Sequence, residues 1–235
     1  MIERRPFASL GRERLDWLDT RHHFSFAHYH DPARMGWGAL RVWNDDEIEP
    51  GTGFPAHPHA DMEIITYVRQ GAITHRDNLG NEGRTIAGDV QTMSAGTGIR
   101  HSEYNFEQGV TKIFQIWILP AARGGAPRWG SKPFPKDSPS GYWTTLASGF
   151  EEDESALPIR SDARVLGASL PRGETLSYSI VGARRGYLVP ATGALEIEGF
   201  AIQARDGVAI ADAPQLSITA LEDAEVLLVD APAEP

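Results

Sequence analysis

Short runs of apolar residues alternate with turn-forming residues along most of the chain. Runs rich in β-branched and aromatic side chains, bounded by Gly, Pro, Asn or Asp, are typical of strands. Six runs of this kind predict strands at 38–44, 63–70, 113–119, 175–182, 195–203 and 225–230. Helical periodicity is weak. Short strands that follow one another without helices indicate an all-β sandwich or barrel.

The order of strand and turn signals is similar in the two halves of the chain. Each half has an aromatic residue followed by an aliphatic one, and then two glycines at similar spacing: Tyr67-Val68, Gly71 and Gly88 in the first half, and Tyr187-Leu188, Gly193 and Gly207 in the second. Such internal similarity indicates a duplicated unit, here a small barrel.

The segment 120–141 lies between the two halves and is dense in Pro, Gly and Ser, which is typical of a connection. We therefore predict an N-terminal barrel over residues 1–130, a connection over 131–141 and a C-terminal barrel over 142–235.

Composition narrows the classes of function. The net charge is −10, and the basic residues form no long patch, so we do not expect nucleic acid to be a direct partner. The chain has no cysteine, which excludes thiol chemistry and leaves nitrogen and oxygen as ligands for any transition metal. No apolar run approaches the roughly 20 residues of a membrane helix, and we expect a cytoplasmic protein with no membrane partner.

All eight histidines lie within the first 101 residues, so only the N-terminal barrel can hold a histidine-based site. His57 and His59 are two residues apart, as are His101 and Glu103. On a strand, residues at this spacing point to the same face. Two such pairs on neighbouring strands supply three nitrogens and one carboxylate, a donor set that suits iron, manganese, nickel, copper or zinc.

A single His-x-His pair also occurs in surface loops, and it is the second pair that favours a metal site. The other histidines near the N-terminus, His22, His23, His28 and His30, have no fixed strand pattern, and we interpret them as structural. The aromatic residues Phe24, Phe26, Trp37 and Trp43 could form the wall of a pocket, but such residues are more often core.

The motifs around these histidines resemble the cupin superfamily and, within it, the pirin family. The first cupin motif, Gly-x5-His-x-His-x(3,4)-Glu-x6-Gly, is similar to the chain at Gly51, His57, His59, Glu63 and Gly71. The second, Gly-x5-Pro-x-Gly-x2-His-x3-Asn, is similar at Gly88, Ser94, Gly96, His101 and Asn105. Serine in place of proline, and two extra residues before His101, are typical of pirins, as are the phrases HFSFAHYHDP and MSAGTGIRHSEYN.

The resemblance implies a bicupin made of two antiparallel jelly-roll barrels, with one metal in the first. It implies the ligands His57, His59, His101 and Glu103, with Glu103 serving as the carboxylate in place of Glu63. It further implies a quercetin 2,3-dioxygenase that cleaves a flavonol with O2, releasing a depside and carbon monoxide. We expect Fe(II), with Zn, Mn, Ni, Co or Cu as alternatives.

In this interpretation Glu103 is both a ligand and the proton acceptor of the reaction. Three further residues are candidates for a place beside the ligands or in the substrate pocket: Glu63, His75 and Gln115. Each has an ordinary structural alternative, namely a turn cap, a packed strand histidine and a buried amide. Pirins also include transcription cofactors, so the alternative function is a non-enzymatic, metal-binding redox sensor or regulator with a protein partner.

Overall fold

The computed structural model describes residues 1–134 and 141–234, and within them the chain is almost entirely β-structure. The prediction of an all-β chain with two barrels is confirmed. The two helices in these ranges are three-residue 3-10 turns, Phe7–Ser9 and Pro32–Arg34, and neither is long or apolar enough to cross a membrane.

The strands of the described residues are numbered in chain order. The first twelve are β1 (Ile2–Arg5), β2 (Gly11–Arg14), β3 (Leu18–His22), β4 (Leu40–Ile48), β5 (Gly53–His59), β6 (Glu63–Gln70), β7 (Ala72–Asp77), β8 (Glu82–Ile86), β9 (Asp89–Ser94), β10 (Ile99–Tyr104), β11 (Thr111–Ile118) and β12 (Arg128–Pro133). The others are β13 (Thr144–Ser148), β14 (Leu157–Pro158), β15 (Arg164–Leu170), β16 (Thr175–Ile180), β17 (Arg184–Thr192), β18 (Leu195–Ile197), β19 (Phe200–Ile202), β20 (Gly207–Ile210), β21 (Ala213–Ala220) and β22 (Ala224–Pro232).

Both barrels consist of a four-stranded and a seven-stranded sheet with the same internal order. The small sheets run β5-β10-β7-β8 and β16-β21-β18-β19. The large sheets share a five-strand pattern, β9-β6-β11-β4-β3 in the first and β20-β17-β22-β15-β13 in the second. The glycines of the predicted repeat, Gly71 and Gly193, follow β6 and β17 with φ of 75° and 72°. A Cβ at Gly193 would collide with the carbonyl oxygen of Asp223, so glycine is required there.

Each large sheet has one outer strand that reaches beyond the predicted limits of its barrel. The first strand, β1, pairs with β20 in the C-terminal sheet, while β12 pairs with β9 in the N-terminal sheet. Hydrogen bonding therefore carries residues 2–5 into the second barrel and extends the first barrel's sheet to Pro133. The predicted division at residues 130 and 141 stays a prediction, and most of the predicted connection, 135–140, lies outside the described residues.

One predicted strand is two strands in the structure. The run 195–203 forms the hairpin of β18 and β19, in which Ile197 pairs with Phe200. Glu198 and Gly199 form the turn between them, with φ of 50° and 80°. Two central residues with positive φ are typical of the tight turn that closes a two-residue hairpin. The Glu-Gly pair interrupts what the apolar pattern alone predicted as continuous.

A shared apolar core joins the two large sheets. It contains buried side chains from both barrels, among them Trp43 and Phe114 from the first and Tyr187 and Leu227 from the second. The rings of Trp43 and Tyr187 lie 5.7 Å apart between centroids. Phe24 and Trp43 belong to this core, as the sequence favoured, whereas Phe26 lines a cavity in the N-terminal barrel.

Candidate functional site

Three histidines meet on the small sheet of the N-terminal barrel. Strands β5 and β10 are antiparallel neighbours, and His57 lies directly opposite His101. The ring of His101 lies 4.5 Å from that of His57 and 5.0 Å from that of His59, between centroids. One ring nitrogen of each histidine lies within 4.8 Å of the others. The two-residue periodicity of a strand therefore brings all three rings to one point.

The rings of His59 and His101 are neutral near pH 7, and hydrogen bonding leaves one nitrogen free on His57 and on His101. Burial, and then the charge of the neighbouring histidines, lowers the pKa of His59 to about 4 and that of His101 to about 3. Nδ1 of His57 donates to the carbonyl oxygen of Pro55 at 2.7 Å, which leaves the lone pair of the ring on Nε2. Nε2 of His101 is buried and has no hydrogen-bond partner among the described residues. A neutral imidazole with a free, buried nitrogen is the form that binds a metal ion.

A chain of hydrogen bonds leads from His101 to a carboxylate. Nδ1 of His101 lies 3.4 Å from Nδ1 of His75, and Nε2 of His75 lies 3.0 Å from Oδ2 of Asp77. Because Asp77 can only accept, His75 donates through Nε2 and accepts at Nδ1. His101 then donates through Nδ1, which places its own lone pair on Nε2. Burial would raise the pKa of Asp77, but hydrogen bonds, first from His75 and then from Asn81, hold it below the ordinary value.

Glu103 is buried on β10 and is held by amide donors. Its Oε1 accepts from Nε2 of Gln91 at 2.6 Å and from the Thr66 hydroxyl at 3.3 Å, and its Oε2 accepts from Nε2 of Gln115 at 2.8 Å. Glu103 forms a second group with His75 and His101, whose ligand atoms lie within 4.8 Å of one another. The four predicted ligands are thus divided between two triads that share His101, and the second triad also contains His75.

The other predicted residues differ in their relation to this site. Gln115 contacts Glu103 directly, and His75 contacts His101. Glu63 belongs to neither triad, and its carboxylate accepts a hydrogen bond from the hydroxyl of Ser94 at 2.6 Å. Burial raises the pKa of Glu63. The roles predicted for these three residues remain predictions, but Gln115 and His75 have the contacts that such roles require.

A cavity of about 350 Å³ separates the histidines from the large sheet. This volume is within the range of about 300–1,000 Å³ that is typical of small-molecule sites. Apolar side chains form much of its wall, namely Leu18, Phe26, Phe54, Ile64 and Trp117. The rings of Phe26 and Trp117 meet edge to face at 5.3 Å between centroids.

The large sheet presents a polar row to this cavity and to Glu103. The strand register aligns one residue from each of five neighbouring strands, in the order Gln91, Thr66, Gln115, Asn44 and His22. Of these five residues, the sequence predicts a place near the site for Gln115 alone and a structural role for His22. Polar residues two apart, as in Asn44-x-Asp46 and Thr20-x-His22, are the available signal, since residues at this spacing share one face of a strand.

Comparisons with known proteins find matches over both barrels. Residues 4–118 match the family model for pirin, and residues 145–231 match the family model for the quercetinase C-terminal cupin domain. A pirin-like protein from Caulobacter vibrioides is 66% identical over 98% of this chain and 100% of its own length. The chain belongs to the pirin family.

Two further relatives of this pirin come from Escherichia coli. A protein named quercetin 2,3-dioxygenase is 42% identical and covers 99% of both chains. The structure of the bacterial pirin YhhW in complex with nickel(II) has a TM-score of 0.92 at 41% identity and covers 99% of this chain and 99% of that chain. The fold of a nickel-binding pirin is therefore shared over almost the whole length.

Proposed function

We propose that this pirin is a metal-dependent dioxygenase that cleaves a flavonol such as quercetin with O2. One observation carries the proposal: three histidines bring one ring nitrogen each within 4.8 Å of the others, at the wall of a cavity of about 350 Å³ that the buried carboxylate of Glu103 also lines. The relatives named quercetin 2,3-dioxygenase support the choice of reaction and of substrate.

His57, His59, His101 and Glu103 would hold the metal. The donor set fits this assignment because Nε2 of His101 is buried without a partner and three nitrogens with one carboxylate suit a divalent transition metal. We propose Fe(II) as the native ion, and Zn, Mn, Ni, Co and Cu fit the same donors. A bound divalent ion supplies positive charge that favours loss of the proton from the 3-hydroxyl of a flavonol.

Glu103 would accept that proton. A carboxylate has about four lone-pair positions, and Gln91, Gln115 and Thr66 occupy some of them from the large sheet. Glu103 also lines the cavity, and one of its oxygens lies within 4.8 Å of a ring nitrogen of His75 and of His101. The amide donors also fix the carboxylate plane, so that the accepting oxygen is in place before the substrate arrives.

The apolar wall would bind the flat rings of the substrate and exclude water from them. Phe26, Phe54 and Trp117 line the cavity and offer ring faces and edges to an aromatic ligand. A dry cavity also strengthens the attraction between the carboxylate and a nearby hydroxyl proton.

The test is oxygen uptake with quercetin after the metal-free chain has been loaded with Fe(II), in parallel with metal analysis. We expect uptake by the loaded chain and none by the metal-free chain. His57→Ala should lose both metal and uptake, and His30→Ala, at an exposed histidine, is the matched control. Full metal occupancy without turnover for any of the six metals would contradict the enzyme and leave the regulatory alternative.

A further inference from the structure

A second group of polar side chains lines the cavity, on the sheet that faces the histidines. Strands β3 and β4 place His22 opposite Asn44 and Thr20 opposite Asp46. Each pair is joined by a hydrogen bond, 2.8 Å from His22 Nδ1 to Asn44 Oδ1 and 2.5 Å from the Thr20 hydroxyl to Asp46 Oδ1. All four side chains line the cavity and are at most 4% exposed. The chemistry proposed above uses none of them.

His22 presents an unused hydrogen-bond acceptor. The side-chain oxygen of Asn44 can only accept, so His22 donates through Nδ1 and keeps a lone pair on Nε2. That nitrogen is buried and has no hydrogen-bond partner among the described residues. The carboxylate of Glu13 lies 4.0 Å from it, beyond hydrogen-bond range. Burial lowers the pKa of His22, which keeps the ring neutral.

Asp46 presents a second polar group with spare capacity. It accepts from Thr20, and its carboxyl group has further positions that can accept or, when protonated, donate. Burial, and then the charges of Asp45 and Glu103, raises the pKa of Asp46 to about 7. No cation pairs with Asp46 on the cavity side among the described residues, since Arg69 and Arg205 pair with Asp45 instead.

Buried polar groups normally have hydrogen-bond partners. Here the missing partner would have to enter the cavity, and both groups accept a hydroxyl proton. The ring of Phe26 lies 5.5 Å from that of His22 between centroids, so the same spot offers an aromatic neighbour. A hydroxyl carried on an aromatic ring satisfies both conditions, since the ring contacts Phe26 and the hydroxyl bonds to the polar pair.

We propose that His22 and Asp46 form a hydroxyl-binding subsite, which holds a hydroxylated ring of the substrate on the sheet opposite the histidine triad. Asn44 and Thr20 are positioning residues, because they orient His22 and Asp46. The identity of the ligand as a flavonol rests on the proposed function, but the subsite itself recognises any phenol or catechol that fits the cavity.

The experiment measures binding rather than turnover. The full chain is loaded with redox-inert Zn(II), and dissociation constants are measured by calorimetry for quercetin, for 3-hydroxyflavone, which lacks the other hydroxyls, and for catechol. We expect His22→Phe to weaken quercetin and catechol about tenfold, the scale of one well-made hydrogen bond, and to leave 3-hydroxyflavone within about twofold. His30→Phe is the control for the substitution itself.

Asp46→Asn provides an independent variant that preserves side-chain size and the hydrogen bond to Thr20. It removes the charged acceptor, so quercetin binding should weaken about threefold, and 3-hydroxyflavone should again be unaffected. Circular dichroism and metal content of each variant show whether the barrel and the triad are intact.

The outcomes separate the two proposals. Quercetin affinity that is independent of both His22 and Asp46, or equal losses for quercetin and 3-hydroxyflavone, overturns the subsite and leaves the flavonol substrate standing. Catechol binding that depends on His22, without binding of either flavonol, supports the subsite and contradicts the flavonol substrate. Absence of binding by all three ligands overturns both.

Discussion

Aliphatic side chains fill the interior of the C-terminal barrel, whereas polar side chains line a cavity inside the N-terminal barrel. In the C-terminal sheet the strand register aligns Val208, Leu188, Leu228 and Leu166, all within one buried cluster. The corresponding four strands of the N-terminal sheet align Gln91, Thr66, Gln115 and Asn44. One strand order thus supports two different interiors.

The difference separates stability from chemistry. Burial of aliphatic surface stabilises the folded chain by about 25 cal/mol per Å², and the C-terminal barrel uses its interior for this. Apolar residues of the N-terminal barrel form smaller clusters, which leaves room for the cavity and the histidines. Its buried amides Gln91 and Gln115 hydrogen-bond to Glu103 and to the hydroxyl of Thr66, which offsets the cost of burying them.

The C-terminal barrel also forms ion pairs with a strand of the N-terminal barrel. Arg205 of the C-terminal barrel pairs with Asp45 at 2.5 Å and with Glu47 at 3.1 Å, both on β4. Asp45 also pairs with Arg69. Because successive strand residues point to opposite faces, these ion pairs hold the outer face of the strand whose inner face carries Asn44 and Asp46.

The largest expected effect is the loss of metal when one histidine of the triad is removed. His101→Ala deletes the buried nitrogen that has no other partner, so metal content should fall from about one ion per chain to nearly none. The fold should survive, because apolar strands rather than the ion build the barrel. Elemental analysis and circular dichroism measure the two quantities. A second ion per chain in the parent would place metal in the C-terminal barrel and break the comparison.

We expect a large loss of stability when a buried side chain inside the C-terminal barrel is shortened. Leu188 is fully buried in the C-terminal cluster, and Leu188→Ala should lower the free energy of unfolding by about 2–5 kcal/mol. Metal content should stay unchanged. Val181→Ala, at a residue 51% exposed, is the control and should cost less than about 0.5 kcal/mol. Urea denaturation followed by circular dichroism measures both, and a cost for Leu188→Ala no larger than the control would mean that this interior is loosely packed.

Inside the N-terminal barrel, we expect the replacement of a polar residue to change turnover. Glu103→Gln keeps the size of the side chain and an oxygen donor but removes the charge and most of the basicity. At equal Fe(II) occupancy, quercetin turnover should fall about a hundredfold, the usual scale for a removed general base. Oxygen uptake per bound iron is the measurement. If the variant turns over quercetin as fast as the parent at matched occupancy, another residue is the base. His75, which contacts His101, is then the next candidate.

The histidine triad could be predicted from the sequence, because a spacing of two residues determines which strand face a side chain occupies. The polar wall could not. Asn44 and Asp46 lie in the acidic run Asn44-Asp45-Asp46-Glu47, which alone is typical of a solvated segment. Only the pairing of β4 with β3 and β11 shows that alternate residues of this run face a cavity. Register between distant strands is a tertiary property, and sequence periodicity does not contain it.

The smallest expected effect concerns a residue that touches no metal. Asp77 fixes the proton on Nε2 of His75, and through it the free nitrogen of His101. Asp77→Asn can donate as well as accept, so it no longer selects one tautomer of His75. Metal affinity should fall about tenfold, the lower end of what second partners of a ligand contribute. Competition against a chelator measures the affinity, and Asp19→Asn, on β3 of the same barrel, is a control with the same charge change. Equal affinities for Asp77→Asn and the parent would show that the His101 tautomer is set without the carboxylate. Metal binding in the N-terminal barrel would then depend on His101 without the hydrogen bonds that join it to His75 and Asp77.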